Sequence, residues 1–519
     1  MDFRRALTRY PAFWGFVTSL YALVFVTADF LGSPVTGLRG FIALAMQWLI
    51  VAFCSGGVIG LICAGRYVFA VLFPLLTVFS SVLAYFKLTL GMGLTPMAIE
   101  LTLVNDLRTW STMISWQLVA IAACALVVSA GIAWWRFRFV RTEHGLDYAF
   151  LSCLIIMLPC SLVARIKAPV ASRMPYVFYY AASQYLDNRK SVAEERHTFD
   201  NEAAVCGEDS IDVVFIIGES LRADHLQLNG YGRPTTPRLM KERNIVSFRE
   251  MYTEPCYTHV SVPRIMTRAD SVNPERAYDE QSFITLFRKA GFRTVWFTNQ
   301  DVASSYVYFM HEADTLIYAN ASKTLYDYDK WMDMDLLPHF DREGLAGKRN
   351  LSVMHTIGSH WWYKSHYDSE SAVFMPDIDS RVVSELSREQ MVNAYDNTVV
   401  ETDRFISAII GRLRNRNAVL LYVSDHGEAL GENGNYLHGD DYPELHNPAA
   451  FVWWSDEYGR RNPEKVKALR SASGKRHTTD VMFHSVLDAA SVECASLDTL
   501  QSIFVKKIGG QGCFYRSKY

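Results

Sequence analysis

A chain of 519 residues is long enough for more than one domain, and 50% hydrophobic with 13% aromatic content is rich for a wholly soluble protein. A formal net charge of -3 argues against a nucleic-acid partner, which calls for a concentrated basic face. Long apolar stretches run to about residue 164, and mixed, charged sequence follows from about residue 194.

Five stretches, residues 11–30, 40–65, 67–86, 113–135 and 146–164, have the length and apolar character of bilayer crossings, which take roughly 20 residues. They are too many for a signal peptide. Arg4, Arg5 and Arg9 precede the first, Arg66 separates the second and third, and Arg136, Arg138 and Arg141 separate the fourth and fifth. The positive-inside rule puts the N-terminus in the cytoplasm, so five crossings carry everything past Arg165 to the other side. In a bacterium this is the extracytoplasmic face. Between the third and fourth spans, Glu100, Asn105 and Asp106 lie among apolar residues, which suits the bilayer surface. Residues 165–190 combine Arg165, Lys167 and Arg173 with Tyr176, Phe178, Tyr179, Tyr180 and Tyr185, a mixture suited to an interfacial helix. The predicted division is a five-span helical membrane domain over 1–165, a bridging helix and linker over 166–205, and an exported domain over 206–519. Cys54, Cys63, Cys124, Cys153 and Cys160 fall in spans as packing residues. Cys206, Cys256, Cys494 and Cys513 fall in the exported part, where an oxidising compartment permits two disulfides.

In the exported part, IDVVFIIG is a continuous β-branched run of the kind found in buried parallel strands. SFITLFRKAGF reads as a helix closed by Gly291, RTVWFTN and NLSVMHTIG as strands, residues 388–413 as a long helix, and NAVLLYVSD and AAFVWWS as strands. This alternation predicts an α/β domain with a mostly parallel central sheet, whose ligands bind beyond the carboxyl ends of the strands. Glu219, then His355 with His360, then Asp425 with His426 stand at three such ends. Two carboxylates and an imidazole suit Zn2+ or Mn2+ with a position left for chemistry. Taken singly, Glu219 also reads as a helix N-terminal acid and Asp425 as a turn cap. Thr258 falls where a helix begins, so its hydroxyl faces backbone amides that favour a phosphate, or serves simply as the N-cap.

GESLRADHLQLNGYGRPTTPRL, CYTHVSVP, MHTIGSHWWY, NAYDNTVVETDRFI and SDHGEALGENGNYLHG, in that order, resemble the motifs of bacterial phosphoethanolamine transferases, which decorate lipid A and related glycans. The resemblance covers nearly the whole chain. It implies an alkaline-phosphatase or sulfatase-like fold, a zinc held by Glu219, Thr258, Asp425 and His426, and Thr258 as acceptor of a covalent phosphoethanolamine. It maps His360 and His438 onto contacts with the transferred phosphate or with a second zinc. It further implies phosphatidylethanolamine as donor, an envelope glycolipid such as lipid A as acceptor, a monomer among membrane lipids, and a lipopolysaccharide modification of the kind tied to polymyxin resistance.

The sequence departs from that pattern in places. Arg264 stands where the family often has a cysteine that closes a small disulfide beside the nucleophile, leaving Cys256 free or paired elsewhere. Tyr257 replaces a glycine, and Trp361 and Trp362 follow the HxxxxH pair, either boxing an ammonium group or packing. A sulfatase needs Cys or Ser in a C/S-x-P-x-R context, and SVPR brings Arg264 one position too early. A phosphoglycerol transferase shares the spans, fold and threonine nucleophile but differs at the nucleophile motif. A catalytically inactive membrane scaffold would be expected to have lost ligands, and every ligand position here is filled.

Overall fold

The computed structural model describes residues 9–31, 37–90, 93–96, 98–99, 103, 115–160 except 141–144, 170–193, 195–300, 302–321, 330–380, 383–438 and 441–505. Arg4, Arg5, Arg141, Arg165, Lys167, Glu100, Asn105, Asp106 and Cys513 lie outside them. The chain divides into two compact units, residues 1–187 with 321–329, and residues 188–320 with 330–519.

In the first unit, α1 (Tyr10–Phe30), α2 (Gly37–Ala64), α3 (Arg66–Leu90) and α4 (Trp116–Phe139) are long and apolar enough to cross a membrane. The fifth expected span is represented by α5 (Gly145–Cys160), whose 16 residues extend roughly 24 Å, short of a 30 Å hydrocarbon core. Residues 161–164, which would complete it, are outside the described set. Among the described residues, four helices thus have the length and apolar character of a span where five are expected. The helices approach closely at glycines, as membrane helices do: a Cβ on Gly60 would lie 2.4 Å from Ser152 Oγ of α5. The expected interfacial segment contains α6 (Tyr176–Ala193), whose Tyr176 hydroxyl donates to the Cys54 carbonyl at 2.8 Å.

The second unit is built on seven strands: β1 (Ile211–Gly218), β2 (Ile245–Phe248), β3 (Arg293–Thr298), β4 (Thr315–Tyr318), β5 (Arg349–His355), β6 (Ala418–Ser424) and β7 (Ala450–Trp454). They lie in the order β2-β7-β6-β1-β5-β3-β4. The pairs β6-β1, β1-β5, β5-β3 and β3-β4 are parallel, whereas β7 is antiparallel to both its neighbours. The sheet is thus mixed. AAFVWWS forms its expected strand but reverses direction, because it returns to β6 through a loop rather than a crossover helix. The run IDVVFIIG is buried at every position, and its period-2 alternation divides it between two cores. Val213, Phe215 and Ile217 join α7 (Thr258–Met266), α8 (Phe283–Lys289) and a helix at Met482–Ala489, while Val214 and Ile216 join α9 (Arg388–Leu413). A capping box between Ser387 and Gln390 fixes the start of α9.

Cys206, Cys256 and Cys494 are free thiols, so no disulfide forms among the described exported cysteines. Cys206 and Cys494 sit on paired strands but out of register, Cys206 facing Val492 and Ala204 facing Cys494.

Candidate active site

The site is assembled at the carboxyl ends of β1 and β6. Their register pairs Gly218 with Ser424, so Glu219 and Asp425 leave the sheet side by side. Only glycine fits at 218, since a Cβ there would lie 2.0 Å from the Tyr422 hydroxyl. Ser220, next in line, takes a left-handed backbone at φ 56°, a strained turn typical of functional strand ends. Its N–H donates to Asp425 Oδ1 at 3.1 Å and its hydroxyl to Glu219 Oε1 at 2.7 Å. Helix α9 secures the same turn: the Tyr395 hydroxyl donates to the Ser220 carbonyl at 2.7 Å and accepts from the Arg222 N–H at 2.8 Å. The motif NAYDNTVVETDRFI is thereby a scaffold for the site. Gly358, at φ 49°, lies so close to Glu219 that a Cβ would meet its carbonyl oxygen at 2.8 Å.

Thr258 is the first residue of α7, with Tyr257 at the N-cap position, so it is not itself the cap. Its hydroxyl donates to Glu219 Oε2 at 2.9 Å and lies 3.5 Å from His426 Nε2. His426 Nδ1 is 2.7 Å from the Gly427 carbonyl, which fixes the proton there and leaves the Nε2 lone pair facing the cluster. That Nε2 is 3.5 Å from both Glu219 Oε1 and Asp425 Oδ2. Glu219, Asp425 and His426 are fully buried, and their donor atoms lie within 4.8 Å of one another.

Among the described residues no Lys or Arg pairs with Glu219 or Asp425, and Asp425 Oδ2 is buried without a hydrogen-bond partner. Burial raises Glu219, but the fields of His426, His360 and His438 outweigh it and hold the carboxyl at about 2. Burial and the neighbouring Glu219 charge push Asp425 up to about 7. Two buried carboxylates share one imidazole and pair with no Lys or Arg among the described residues, and an oxygen-oxygen-nitrogen set with an adjacent hydroxyl fits Zn2+.

His438 and His360 flank this cluster. The His438 ring lies 4.8 Å from that of His426 and 5.8 Å from that of His360. His438 Nδ1 contacts Glu428 Oε2 at 2.8 Å, and Glu428 also accepts from the Tyr363 hydroxyl at 3.0 Å. Burial opposes the charge on His438, yet Glu428 overrides it and raises the imidazole to about 9. His355 does not join: it is buried against Trp296 and Tyr306 with neither ring nitrogen partnered, and burial lowers it to about 4. As the last residue of β5, it points into a hydrophobic core rather than toward the metal-type cluster. Trp362 is buried in the core beside α9 and Trp361 packs against it, with ring centroids 5.4 Å apart.

Sequence reasoning missed Gln300, whose Nε2 donates to Glu219 Oε2 at 2.8 Å, and left Glu428 without a role. It also missed Asp333, which accepts from the Ile357 and Gly358 N–H groups and is raised to about 6 by burial. Gln300 sits in a loop and Asp333 opens a short 3-10 helix, neither within a recognisable motif; only the strand end at RTVWFTNQ hinted at the first.

A family model described as Sulfatase matches residues 211–492. The Kdo(2)-lipid A phosphoethanolamine 7''-transferase of Escherichia coli K12 is 32% identical over 50% of this chain and 47% of its own length. The phosphatidylethanolamine transferase Mcr-2 of Escherichia coli is 26% identical over 69% of this chain and 66% of its own. The match to the first thus spans about half of that protein. The C-terminal periplasmic domain of EptC from Escherichia coli, solved in complex with Zn, superposes with a TM-score of 0.54 at 23% identity, covering 60% of this chain and 91% of that one. With residues 211–492 of 519 accounted for by one model, the chain belongs to the sulfatase family.

Proposed function

We propose that this protein transfers phosphoethanolamine from phosphatidylethanolamine to an envelope glycolipid such as lipid A, through a covalent intermediate on Thr258. The observation that carries this reading is the hydroxyl of Thr258 at the start of a helix, 2.9 Å from one member of a buried carboxylate-imidazole cluster. The relatives named for this reaction lend it support. We assign residues 1–165 to a five-span inner-membrane domain, residues 166–205 to a bridge, and residues 206–519 to a periplasmic catalytic domain acting as a monomer.

Glu219, Thr258, Asp425 and His426 would hold one Zn2+, which lowers the pKa of the threonine hydroxyl and neutralises phosphoryl oxygens when bound. Thr258 Oγ1 attacks phosphorus as its hydroxyl proton passes along the existing hydrogen bond to Glu219, and the phosphorus-oxygen bond to diacylglycerol breaks, the leaving oxygen taking a proton from His438. Amides of the first turn of α7 favour the negative charge gathering there. His438, held charged by Glu428, and His360 contact the phosphoryl oxygens. The acceptor oxygen then attacks phosphorus, its proton passing to His438, and the Thr258 oxygen leaves with the proton held by Glu219.

Membership of the sulfatase family does not imply sulfatase chemistry here. Ser261, the residue a formylglycine would replace, is buried with its hydroxyl on the Pro255 carbonyl at 3.2 Å. The test is mass spectrometry of the full-length protein incubated with phosphatidylethanolamine vesicles. A phosphoethanolamine adduct is expected on Thr258, absent in Thr258→Ala while zinc stays bound. A glycerophosphate adduct, or an adduct on another residue, would overturn the assignment.

A further inference from the structure

Outside the catalytic cluster, three donors of different chemistry converge. Cys256 Sγ, buried at 4% exposure, lies 3.3 Å from Asp441 Oδ1 and 3.5 Å from His446 Nε2, and those last two atoms are 2.6 Å apart. We propose that Cys256, Asp441 and His446 form a second zinc site, separate from the catalytic one, with sulfur, oxygen and nitrogen donors.

The geometry supports this in two ways. First, both ring nitrogens of His446 face acceptors: Nδ1 the Thr253 carbonyl at 2.7 Å and Nε2 the Asp441 carboxylate. A backbone carbonyl on Nδ1 is the usual partner that orients a metal-bound histidine. Secondly, tetrahedral Zn2+ with bonds of about 2.3 Å to sulfur and 2.0–2.2 Å to nitrogen and oxygen needs sulfur-to-nitrogen and sulfur-to-oxygen separations near 3.5 Å. The observed 3.5 and 3.3 Å are already close to this. Only the nitrogen-to-oxygen separation must open, by about 0.7 Å. Asp441 can supply that movement because its side chain is 76% exposed, and the exposure also leaves the fourth position to water. On binding, the Cys256 thiol releases its proton to solvent and binds as thiolate.

The site would clip the approach to Thr258. Thr253 N already donates to the His446 carbonyl at 3.1 Å, and Gly427 N donates to the Leu445 carbonyl at 2.7 Å. The segment holding His446 therefore touches both the strand before Thr258 and the turn holding His426. Arg264 pairs with Glu254, leaving the Cys256 sulfur to this cluster.

Full-length protein loaded with Co2+ tests this directly, because the catalytic set contains no sulfur. A thiolate-to-cobalt absorption band is expected in the wild type and in Glu219→Ala, and absent in Cys256→Ala. Zinc analysis should show one equivalent fewer in Cys256→Ala and in Asp441→Asn, whose exposed position does not threaten folding. Zinc should also slow alkylation of Cys256 in the intact protein about tenfold or more. Absence of the band in the wild type, an unchanged zinc count in both variants, or alkylation indifferent to zinc would each overturn the proposal. Retention of the band in Glu219→Ala keeps it independent of the catalytic assignment.

Discussion

Replacing Gly218 with alanine should disable the site without touching any residue that meets substrate. The new Cβ would lie 2.0 Å from the Tyr422 hydroxyl and 2.4 Å from its ring carbon Cζ. A tolerable contact begins near 3.0 Å, so ring and strand end must separate by about 1 Å. Neither yields readily. The Tyr422 ring stacks on Phe451 with centroids 4.6 Å apart and 3° between planes, and both backbones are held by strand pairing. Overpacking of this kind costs about 1–3 kcal/mol. The strain falls on the residue before Glu219, and a 1 Å misplacement of a catalytic group costs roughly 100-fold in rate. Gly218→Ala should therefore lose about two orders of magnitude in phosphoethanolamine transfer, measured with labelled phosphatidylethanolamine in vesicles, with zinc content falling in parallel. Adding Tyr422→Leu, which removes the clashing atoms, should recover part of the rate. A Gly218→Ala protein within threefold of wild type, or a double variant no better than the single, would refute the idea that the strand end is rigidly placed.

Glu219→Ala, Asp425→Ala and His426→Ala should each cut zinc affinity at the catalytic site by more than about tenfold, whereas His360→Ala and His438→Ala should keep zinc and slow transfer; loss of zinc in His438→Ala would show that it is a ligand. Stripping the full-length protein with a strong chelator should abolish transfer and lower its melting temperature, both recovering with added Zn2+; activity surviving in verified metal-free protein would exclude the proposed metal role. Glu312 supplies a pH test remote from the site: burial outweighs the Ser282 hydrogen bonds and raises its carboxyl from 4.5 to about 7. The folded state thus holds a proton that the unfolded chain has lost, so stability falls as pH rises from 4.5 to 7 and stays lower above. Glu312→Gln should be neutral at pH 4 and stabilising at pH 8 by up to roughly 3 kcal/mol, about 5 °C in melting temperature; equal melting shifts at both values would contradict this.

The strands and the long helix were legible because their signals are local. IDVVFIIG and AVLLYVS are buried throughout, and Ser387 and Gln390 mark the start of α9 one capping box before its apolar pattern. The short edge strands β2 and β4 escaped because four residues carry no readable alternation. The direction of β7 escaped because a run of apolar residues has no polarity; only the connection determines it.

At the site, the same distinction between local and tertiary information applies. Glu219 and Asp425 could be paired in advance because each ends a strand of one sheet, and neighbouring parallel strands deliver their ends together. His355 met the same criterion and fails it structurally. It is still inside β5, whereas Glu219 and Asp425 lie just past their strands, free of the alternation that sends His355 into the core. Gln300, Glu428 and the Cys256-Asp441-His446 group depend on loops closing over the sheet, which no periodicity encodes. One physical criterion connects the two metal-type clusters despite this. Each confronts an imidazole nitrogen with a carboxylate at 3.5 Å or less, while its second ring nitrogen faces a backbone carbonyl. A ring so placed asks for positive charge at the carboxylate side, and a divalent ion supplies more of it than a proton can.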